Sequence, residues 1–249
     1  MELPPAGDIK RLRVKNLELT RKKIRESINE DNYISHAINS IDETDKAINM
    51  LAKRLREWYS LYNPEFPKSI EDNEKFIELI LRKSKKELLK EIHVTESLGK
   101  DLKKEDLGAI LNLGKKIQEF FVLRKETEDY LDKLMKSYCK NIQTLAGSTI
   151  AARLIEHTGS LKRLALLPAS TIQILGAEKA LFRHITKGSR PPKYGLIYNH
   201  QFIQQAKKKE QGKRSRALAD KLAICARADF FKGKFIADDL KKQLDKKFK

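Results

Sequence analysis

A seven-residue hydrophobic repeat near the start of the chain constrains the fold more than any other feature. Its first set of positions comprises Ile34, Ile41, Ile48, Leu55 and Tyr62. Three residues after each of the first four stand Ala37, Thr44, Leu51 and Trp58. Two such positions per heptad, kept over about four heptads, are typical of a helix that packs an apolar seam against another helix in a coiled coil. The Asn63-Pro64 pair predicts the end of this helix, because the residue before a proline is disfavoured in the α region.

A second repeat, farther along the chain, supplies the partner helix. One register holds Ile110, Ile117, Leu131 and Tyr138, and the other holds Leu113, Phe120 and Leu134. The simplest arrangement is a long antiparallel helical hairpin, closed at its far end by shorter helices within residues 69–107. The polar interruptions Thr44, Arg124 and Thr127 then fall near one level, and we interpret them as a polar layer that sets the register.

The tip of this hairpin carries more apolar residues than a lone turn needs. The residues expected to mediate self-association are Phe76, Ile77, Ile80, Leu88, Leu89 and Ile92. An exposed apolar cap of this kind favours a homodimer. The alternative is that the same side chains fold back on the hairpin itself, and the sequence leaves the two open.

The distribution of charge separates the chain into two halves. Residues 1–140 contain 29 Lys and Arg against 26 Asp and Glu, whereas residues 141–249 contain 23 against 8. The first half is nearly balanced and the second is strongly basic, which indicates a scaffold half and a half that binds a polyanion. The alternative is a basic surface that serves solubility alone, but the confinement of the excess to one half argues against it.

Several classes of protein are not indicated by the sequence. No apolar run approaches the roughly 20 residues of a membrane span, and no signal-peptide pattern opens the chain, so a soluble intracellular protein is expected. Cys139 and Cys225 lack the spacing of zinc ligands and are interpreted as buried thiols. His157 beside Gly159 is interpreted as a helix C-terminal cap, without a nucleophile or paired carboxylate. We therefore predict no catalytic residue, no metal and no cofactor.

The segment 168–184 combines features that a plain core helix or surface helix would not. Ser170 and Gln173 have the spacing of a capping box, and Gly176 permits the close approach of another backbone. Lys179 and Arg183 lie four apart and share one helical face. The apolar residues expected to bury here are Ile172, Ile174, Leu175, Leu181 and Phe182.

Three neighbouring segments of the basic half offer cations and flat side chains. The candidate RNA-binding residues are Lys179, Arg183, His184, Arg190, Lys193, Tyr194, Lys213, Arg214 and Arg216. RNA is recognised through phosphates, 2′-hydroxyls and unstacked bases, which suits this mixture of cations with Tyr194 and His184. Charge alone does not separate RNA from DNA, so a general basic nucleic-acid-binding protein that needs no partner protein is the alternative.

Six short segments between Leu145 and Asp229 form an ordered set of motifs: Ala151–Ile155, Gly159–Leu161, Pro168–Thr171, Ile174–Phe182, Pro192–Gly195 and Gly212-Lys213. With these motifs the region resembles the Nop-domain family, the scaffold proteins of box C/D RNA–protein particles. The archaeal members, which scaffold guide-RNA particles for RNA 2′-O-methylation, are the most similar. The coiled-coil half resembles the same family with less specific motifs.

The resemblance implies three binding surfaces. The residues Gln173, Gly176, Ala177 and Glu178 are expected to face a small kink-turn-binding protein, with Lys179, Arg183, His184, Arg190 and Lys193 directed toward the box C/D guide RNA. The coiled-coil tip is expected to homodimerise. An N-terminal domain of the family binds fibrillarin, the methyltransferase. Since this chain begins with a linker-like sequence, we interpret it as a fragment that does not itself bind fibrillarin.

The predicted organisation is all-α. Residues 1–32 form a linker and a first helix, with Asp8 as its N-cap. Residues 33–140 form the coiled coil, with its tip at about 63–108, and residues 141–249 form a compact helical Nop domain whose charged tail, Asp238–Lys249, frays. We expect a non-enzymatic scaffold, cytoplasmic in an archaeon and nucleolar in a eukaryote.

Overall fold

A computed structural model of the protein describes residues 6–248, and every regular element in that range is helical. The first half contains α1 (Ala6–Ser27), α2 (Glu30–Tyr59), α3 (Phe66–Ser69), α4 (Asn73–Arg82), α5 (Lys85–Glu91) and α6 (Lys104–Tyr138). The second contains α7 (Lys140–Ala146), α8 (Ser148–Thr158), α9 (Leu161–Leu166), α10 (Ala169–Ile174), α11 (Glu178–Lys187), a 3₁₀ turn (Leu196–Asn199), α12 (Gln201–Gln204), α13 (Gln211–Phe230) and α14 (Ala237–Lys247). The prediction of an all-α fold is confirmed. None of the helices described here is long and apolar enough to cross a membrane.

The chain divides into two compact units. The central unit is Ala37–Lys133, and the terminal unit comprises the chain up to His36 together with the chain from Leu134 onward. Both long helices, α2 and α6, contribute residues to each unit. The domain limits expected from the sequence, 33–140 and 141–249, stay predictions.

Within the central unit, α2 and α6 run antiparallel. The Arg124 guanidinium lies 2.8 Å from the Asp45 carboxylate. The Gly114 backbone faces the side chain of Leu55, so that moving toward the C-terminus of α2 corresponds to moving toward the N-terminus of α6. The polar interruption at Arg124 is thus an ion pair between the two helices, and its partner, Asp45, follows Thr44 directly in sequence.

The buried stripe of α2 differs from the predicted seam on one side. Ile34, Ile41, Ile48 and Leu55 of the first set are buried as expected and Tyr62 is half-buried, but Trp58 of the second set is exposed and Tyr59 is buried in its place. Ile38 and Ala52, also four residues after a seam position, are buried as well. A straight helix has 3.6 residues per turn and drifts from a 3.5-residue repeat. The short tip helices add a second contact here, since the Tyr59 ring meets Phe76 edge to face at 5.9 Å.

The tip residues expected to mediate self-association form the core of the central unit. Phe76, Ile77, Ile80, Leu88 and Leu89 are buried, and Ile92 is half-buried against the same cluster. Residues of α2 and α6 belong to this cluster too, and its members include Leu55, Tyr59, Phe66, Phe76, Leu88, Ile110 and Ile117. The burial of the tip residues favours the alternative in which the tip folds against the long helices.

The terminal unit is built around α13. This helix packs against α7, α9 and α10, and its Leu218, Leu222 and Ala226 are fully shielded from solvent. The small residues Ala151 and Ala152 of α8 are buried too, as their size predicts for tight packing. The start of α2 joins this unit through Asp31, whose carboxylate accepts a hydrogen bond of 3.1 Å from the Leu161 backbone N–H at the start of α9. This bond satisfies one of the N–H groups that a helix start leaves open.

Two predictions at the ends of the chain are wrong. Asp8 lies inside α1, which begins at Ala6, so it is not the N-cap; of the linker predicted for residues 1–8, residues 6–8 are helical and residues 1–5 lie outside the described part of the chain. The charged tail is helical through Lys247 rather than frayed, because Leu240 and Leu244 lie one turn apart and are both buried.

Candidate nucleic-acid interface

A tight corner joins α10 to α11 and holds the motif residues in place. Gly176 adopts the left-handed φ of +84°, and a Cβ there would lie 2.6 Å from the Leu196 side chain. The Gly195 backbone N–H donates to the Gln173 carbonyl at 2.9 Å, and the Leu196 N–H donates to the Leu175 carbonyl at 2.7 Å. The close approach predicted at Gly176 is therefore present, and the approaching segment is the one that contains Gly195.

The capping box predicted from Ser170 and Gln173 is wrong. Helix α10 begins one residue after Pro168, and Ser170 lies inside it. The Gln173 side-chain amide instead donates to the Lys193 carbonyl at 2.6 Å. Gln173 therefore fixes the basic loop that follows α11 rather than the start of its own helix.

Glu178 is held at the start of α11 by two partners. Its Oε1 accepts a hydrogen bond of 2.7 Å from the Gly176 N–H and lies 2.8 Å from His157 Nε2 at the end of α8. Partial burial alone would raise the pKa of this carboxyl, but the hydrogen bonds from Gly176 and His157 outweigh it and hold the pKa below its usual value. His157 was interpreted as a cap of its own helix, whereas the structure pairs it with Glu178. The adjacent Gly159 does end α8, in the left-handed conformation.

Helix α11 lies on the surface, and none of its residues is buried. Phe182 is 66% exposed and Ile185 is 72% exposed, so the prediction that Phe182 buries is wrong. Lys179 and Arg183 are exposed on the neighbouring face of the same helix, and a contact between the His184 ring and the Ser189 carbonyl ties its end to the following loop. One short helix thus presents an apolar strip beside a cationic strip, which sequence reasoning missed because it assigned the aromatic ring to the core.

Four of the predicted RNA-binding residues meet in one cleft. Arg190, Lys193, Lys213 and Arg216 line a cavity of about 940 Å³, which we call the basic cleft, together with Gln173. Further lining residues that the sequence analysis did not single out include Lys209, Glu210, Asp220, Lys247 and Phe248. Residues 213, 216 and 220 share one face of α13. The loop after α11 and the end of α14 pack beside this face and supply further lining residues.

Two of the predicted RNA-binding residues are engaged in packing. The Arg214 guanidinium lies over the Phe202 ring at 5.0 Å and the Phe248 ring at 5.4 Å, and it donates to the Phe202 carbonyl at 3.2 Å. The Tyr194 ring stacks on Tyr198 at a centroid distance of 4.4 Å. Arg214 and Tyr194 thus contact other side chains of the same chain. The RNA-binding roles of all nine residues stay predictions.

The described residues contain no group of three or more His, Cys, Asp and Glu side chains that could hold a metal ion. Cys139 and Cys225 are both buried and free. Burial raises the pKa of both thiols, that of Cys225 to about 12. They are therefore neutral thiols near neutral pH, as expected of core cysteines.

Comparison with known proteins gives a consistent family assignment. Residues 40–249 match the family model Nop, described as "snoRNA binding domain, fibrillarin". An uncharacterized NOP5 family protein of Methanocaldococcus jannaschii is 42% identical over 255 residues, covering 96% of this chain and 61% of that protein. Nucleolar protein 56 of Schizosaccharomyces pombe is 37% identical over 234 residues, covering 85% of this chain and 47% of that protein.

A solved structure, that of a fibrillarin/Nop5p complex, is similar to the fold described above. It has a TM-score of 0.56 and 27% sequence identity, and the alignment covers 97% of this chain and 80% of that one. The chain thus spans about half to three fifths of the length of the M. jannaschii and S. pombe relatives.

Proposed function

The chain belongs to the Nop family, and we propose that it is a non-catalytic scaffold of box C/D guide RNA–protein particles that direct RNA 2′-O-methylation. The Nop family model and its Nucleolar protein 56 and 58 relatives support this role. Methyl transfer is then the work of fibrillarin. Because the similar solved structure is a complex of Nop5p with fibrillarin, we propose fibrillarin as a partner in such a particle.

We further propose that α11 binds a composite of kink-turn RNA and the small protein already bound to that RNA. The observation that carries this proposal is the exposure of Phe182 and Ile185 next to Lys179 and Arg183. Exposed apolar side chains of this size indicate a protein-binding surface, whereas the cations suit phosphates. The proposed contact of Glu178 is with a basic side chain of the protein partner, and its exposure, more than half, supports this.

The experiment measures ternary assembly of the chain with the kink-turn protein and box C/D guide RNA by gel shift. Phe182→Ser removes the apolar contact and should weaken ternary binding at least tenfold, while leaving the weaker binding to bare RNA unchanged. Lys179→Glu should weaken both. The matched control is Lys162→Glu, an exposed cation of α9 outside the motif.

The alternative function, a general basic RNA- or DNA-binding protein, predicts a different result. Binding dominated by phosphates falls steeply with salt and shows little preference among RNAs. If Phe182→Ser leaves ternary assembly intact, and the kink-turn protein adds nothing to the affinity for RNA, the alternative replaces the scaffold proposal.

We also propose that the chain homodimerises through the tip of the central unit. Because Phe76 and its apolar neighbours are buried, the dimer contact would fall to residues that remain exposed there, chiefly Leu98 at 93% and Leu61 at 60% exposure. Light scattering at tens of micromolar should report a dimer, and Leu98→Ser should shift it toward monomer. A monomeric unmodified chain at that concentration would reject this part of the proposal. A nucleolar location in a eukaryote, or a cytoplasmic one in an archaeon, stays a prediction.

A further inference from the structure

We propose that the basic cleft takes an unpaired segment of RNA and contacts the amino edge of a base through Asp220. The proposal rests on the RNA-binding role proposed above and adds to it a class of ligand, single-stranded rather than duplex RNA, and a contact to a base. Three features support it: the shape of the cleft, an acidic residue, Asp220, among its cations and an aromatic ring in its lining. The other acidic residue of the lining, Glu210, lies 3.9 Å from the Arg214 guanidinium.

The cleft is concave and has cations on several walls. Arg190 and Lys193 line it from the loop after α11, Lys213 and Arg216 from α13, and Lys247 from the end of α14. A flexible single strand can enter a groove of this kind and place its phosphates along such cations. An A-form duplex is a stiff, convex rod whose bases are stacked inside, so it can lie over the cleft but cannot insert a base.

Asp220 indicates that the cleft does more than bind phosphates. Its carboxylate lines the cleft and is exposed, and it has no hydrogen-bond or ion-pair partner within residues 6–248. Arg216, one turn earlier on the same face, forms no ion pair with it among the described side chains. A carboxylate repels phosphate but accepts hydrogen bonds from exocyclic amino groups, of which the N4 amino group of cytosine is a standard partner. Cytosine has such an amino group and uracil does not, so a cytosine should bind more tightly than a uracil.

Phe248 offers the flat surface on which such a base can stack. The ring lines the basic cleft and is half-buried, held edge to face against Phe202 at 5.4 Å and beside the Arg214 guanidinium. Stacking of a base on an aromatic ring is tolerant of sequence and is a main source of affinity for single strands. Arg214, although it does not line this cleft, thus supports the ring that does.

The decisive test is Asp220→Asn, because the two views of the cleft predict different changes in base preference. With oligoribonucleotides of about eight residues, oligocytidine should bind the unmodified chain about tenfold more tightly than oligouridine. Asp220→Asn should remove this preference, because the side-chain amide can pair with either base and the lost charge no longer repels phosphates, so oligouridine binding should tighten more than oligocytidine binding. If the substitution instead tightens both by the same factor, the cleft only binds phosphates, and if it changes neither, Asp220 makes no base contact. Either result overturns the proposal.

A second variant tests the strand itself. Phe248→Leu should weaken both oligonucleotides about tenfold, and Phe248→Tyr, which keeps the flat ring, should restore binding. A blunt RNA duplex should bind both variants like the unmodified chain. An equal loss of affinity for duplex and single strand, or no loss for either, would contradict the role of Phe248 in stacking a base of a single strand. The unfolding temperature of each variant, followed by circular dichroism, separates loss of binding from loss of fold.

These measurements also separate the failure of this proposal from the failure of the scaffold function. The oligonucleotides contain no kink-turn and need no protein partner, whereas ternary assembly is tested by Phe182→Ser in α11. If ternary assembly depends on α11 but the oligonucleotides ignore Asp220 and Phe248, only the cleft proposal fails. If the cleft variants change oligonucleotide binding while α11 variants leave ternary assembly intact, the scaffold proposal fails and the single-strand site stands.

Discussion

The carboxylate of Asp229, near the end of α13, accepts hydrogen bonds from both the backbone N–H and the side-chain amide of Asn141, at 3.0 and 2.8 Å. Its second oxygen accepts from the Ile142 N–H at 2.8 Å. The side-chain oxygen of Asn141 in turn accepts from the Ile236 and Ala237 N–H groups at 2.7 and 3.2 Å. Two side chains thereby cap the starts of α7 and α14 and join them to α13, the helix that carries one wall of the basic cleft.

Asn141→Ala should lower the free energy of unfolding by about 2 to 4 kcal/mol. Asn141 is buried, so its loss leaves two backbone N–H groups and part of a carboxylate without partners in a place that water reaches poorly. Urea unfolding would measure the change, with Asn199→Ala, an asparagine of the same unit that is not buried, as the control. A loss no larger than that of the control would show that Asn141 is dispensable for the cap.

Gly195→Ala should disrupt the corner that positions the motif residues. A Cβ at this position would lie 2.0 Å from the Leu175 carbonyl oxygen, so the two hydrogen bonds that join Gly195 and Leu196 to α10 must break or shift. We expect this clash to lower the free energy of unfolding by about 2 kcal/mol or more and to weaken ternary assembly. Gly147→Ala is the control for the clash, since a Cβ at Gly147 would meet nothing within 4 Å, although Gly147, unlike Gly195, has a positive φ, of +81°. Backbone strain alone should lower the free energy of unfolding of Gly147→Ala by about 1 kcal/mol. Equal effects of the two substitutions on assembly would argue against a special role for the corner.

Arg56→Lys should loosen the connection between α2 and α4 in the central unit. The Arg56 guanidinium donates to the carbonyls of Pro67 and Ile70 at 2.6 and 2.7 Å and lies over the Phe76 ring at 4.4 Å. A lysine ammonium cannot reproduce the planar set of N–H donors of a guanidinium, so the free energy of unfolding should fall by about 1 to 3 kcal/mol. Tryptic cleavage after Lys68 should accelerate.

The control for this substitution is Arg54→Lys. Arg54 is exposed and pairs with Glu57, three residues along the same helix, at 2.8 Å, an interaction of little consequence for stability. If the two lysine variants unfold and are cleaved alike, the carbonyl contacts of Arg56 contribute nothing.

His200 should make stability depend on pH below neutrality. Its Nε2 lies 3.0 Å from the Leu145 carbonyl, while its Nδ1 accepts from the Phe202 N–H at 3.2 Å, an arrangement that only the neutral ring satisfies. Burial lowers the pKa of His200 from its ordinary value of 6.5, more than the hydrogen bond to Leu145 raises it, and Lys241 lowers it further. The unfolded chain therefore binds the proton more readily, and the contribution of His200 to stability, present above the ordinary pKa, is lost as pH falls through the folded pKa.

The measurement for His200 compares urea unfolding at about pH 7.5 and pH 5.5. The unmodified chain should lose stability on acidification, and His200→Gln, which can still donate to the Leu145 carbonyl but does not titrate, should lose less. An equal loss in both chains would assign the pH dependence to other groups.

The hydrophobic periodicity of the sequence was sufficient to predict the long helices. Counts of charged residues were sufficient to predict that one half of the chain is strongly basic. Ile34, Ile41, Ile48 and Leu55 are buried as the heptads require, since local spacing decides which face of a helix is apolar. Periodicity could not decide whether the tip residues face a second copy or the chain itself. Phe76 of α4 and Leu88 of α5 are buried because these short helices pack against α2 and α6. Such packing joins segments that are distant in sequence.

The candidate site shows the same division between sequence and tertiary structure. The motif segments of the basic half, and the cations within them, are readable from the sequence because residue type and order are all that they require. The sequence could not tell that Phe182 is exposed while Arg214 is packed between two rings, since both residues sit in similar helical patterns. It also could not tell that Asp220 and Phe248 would join Lys193 in one cleft. Local chemistry determines what each side chain can do, and only the packing of α13 and α14 decides which side chains meet and which stay open to a partner.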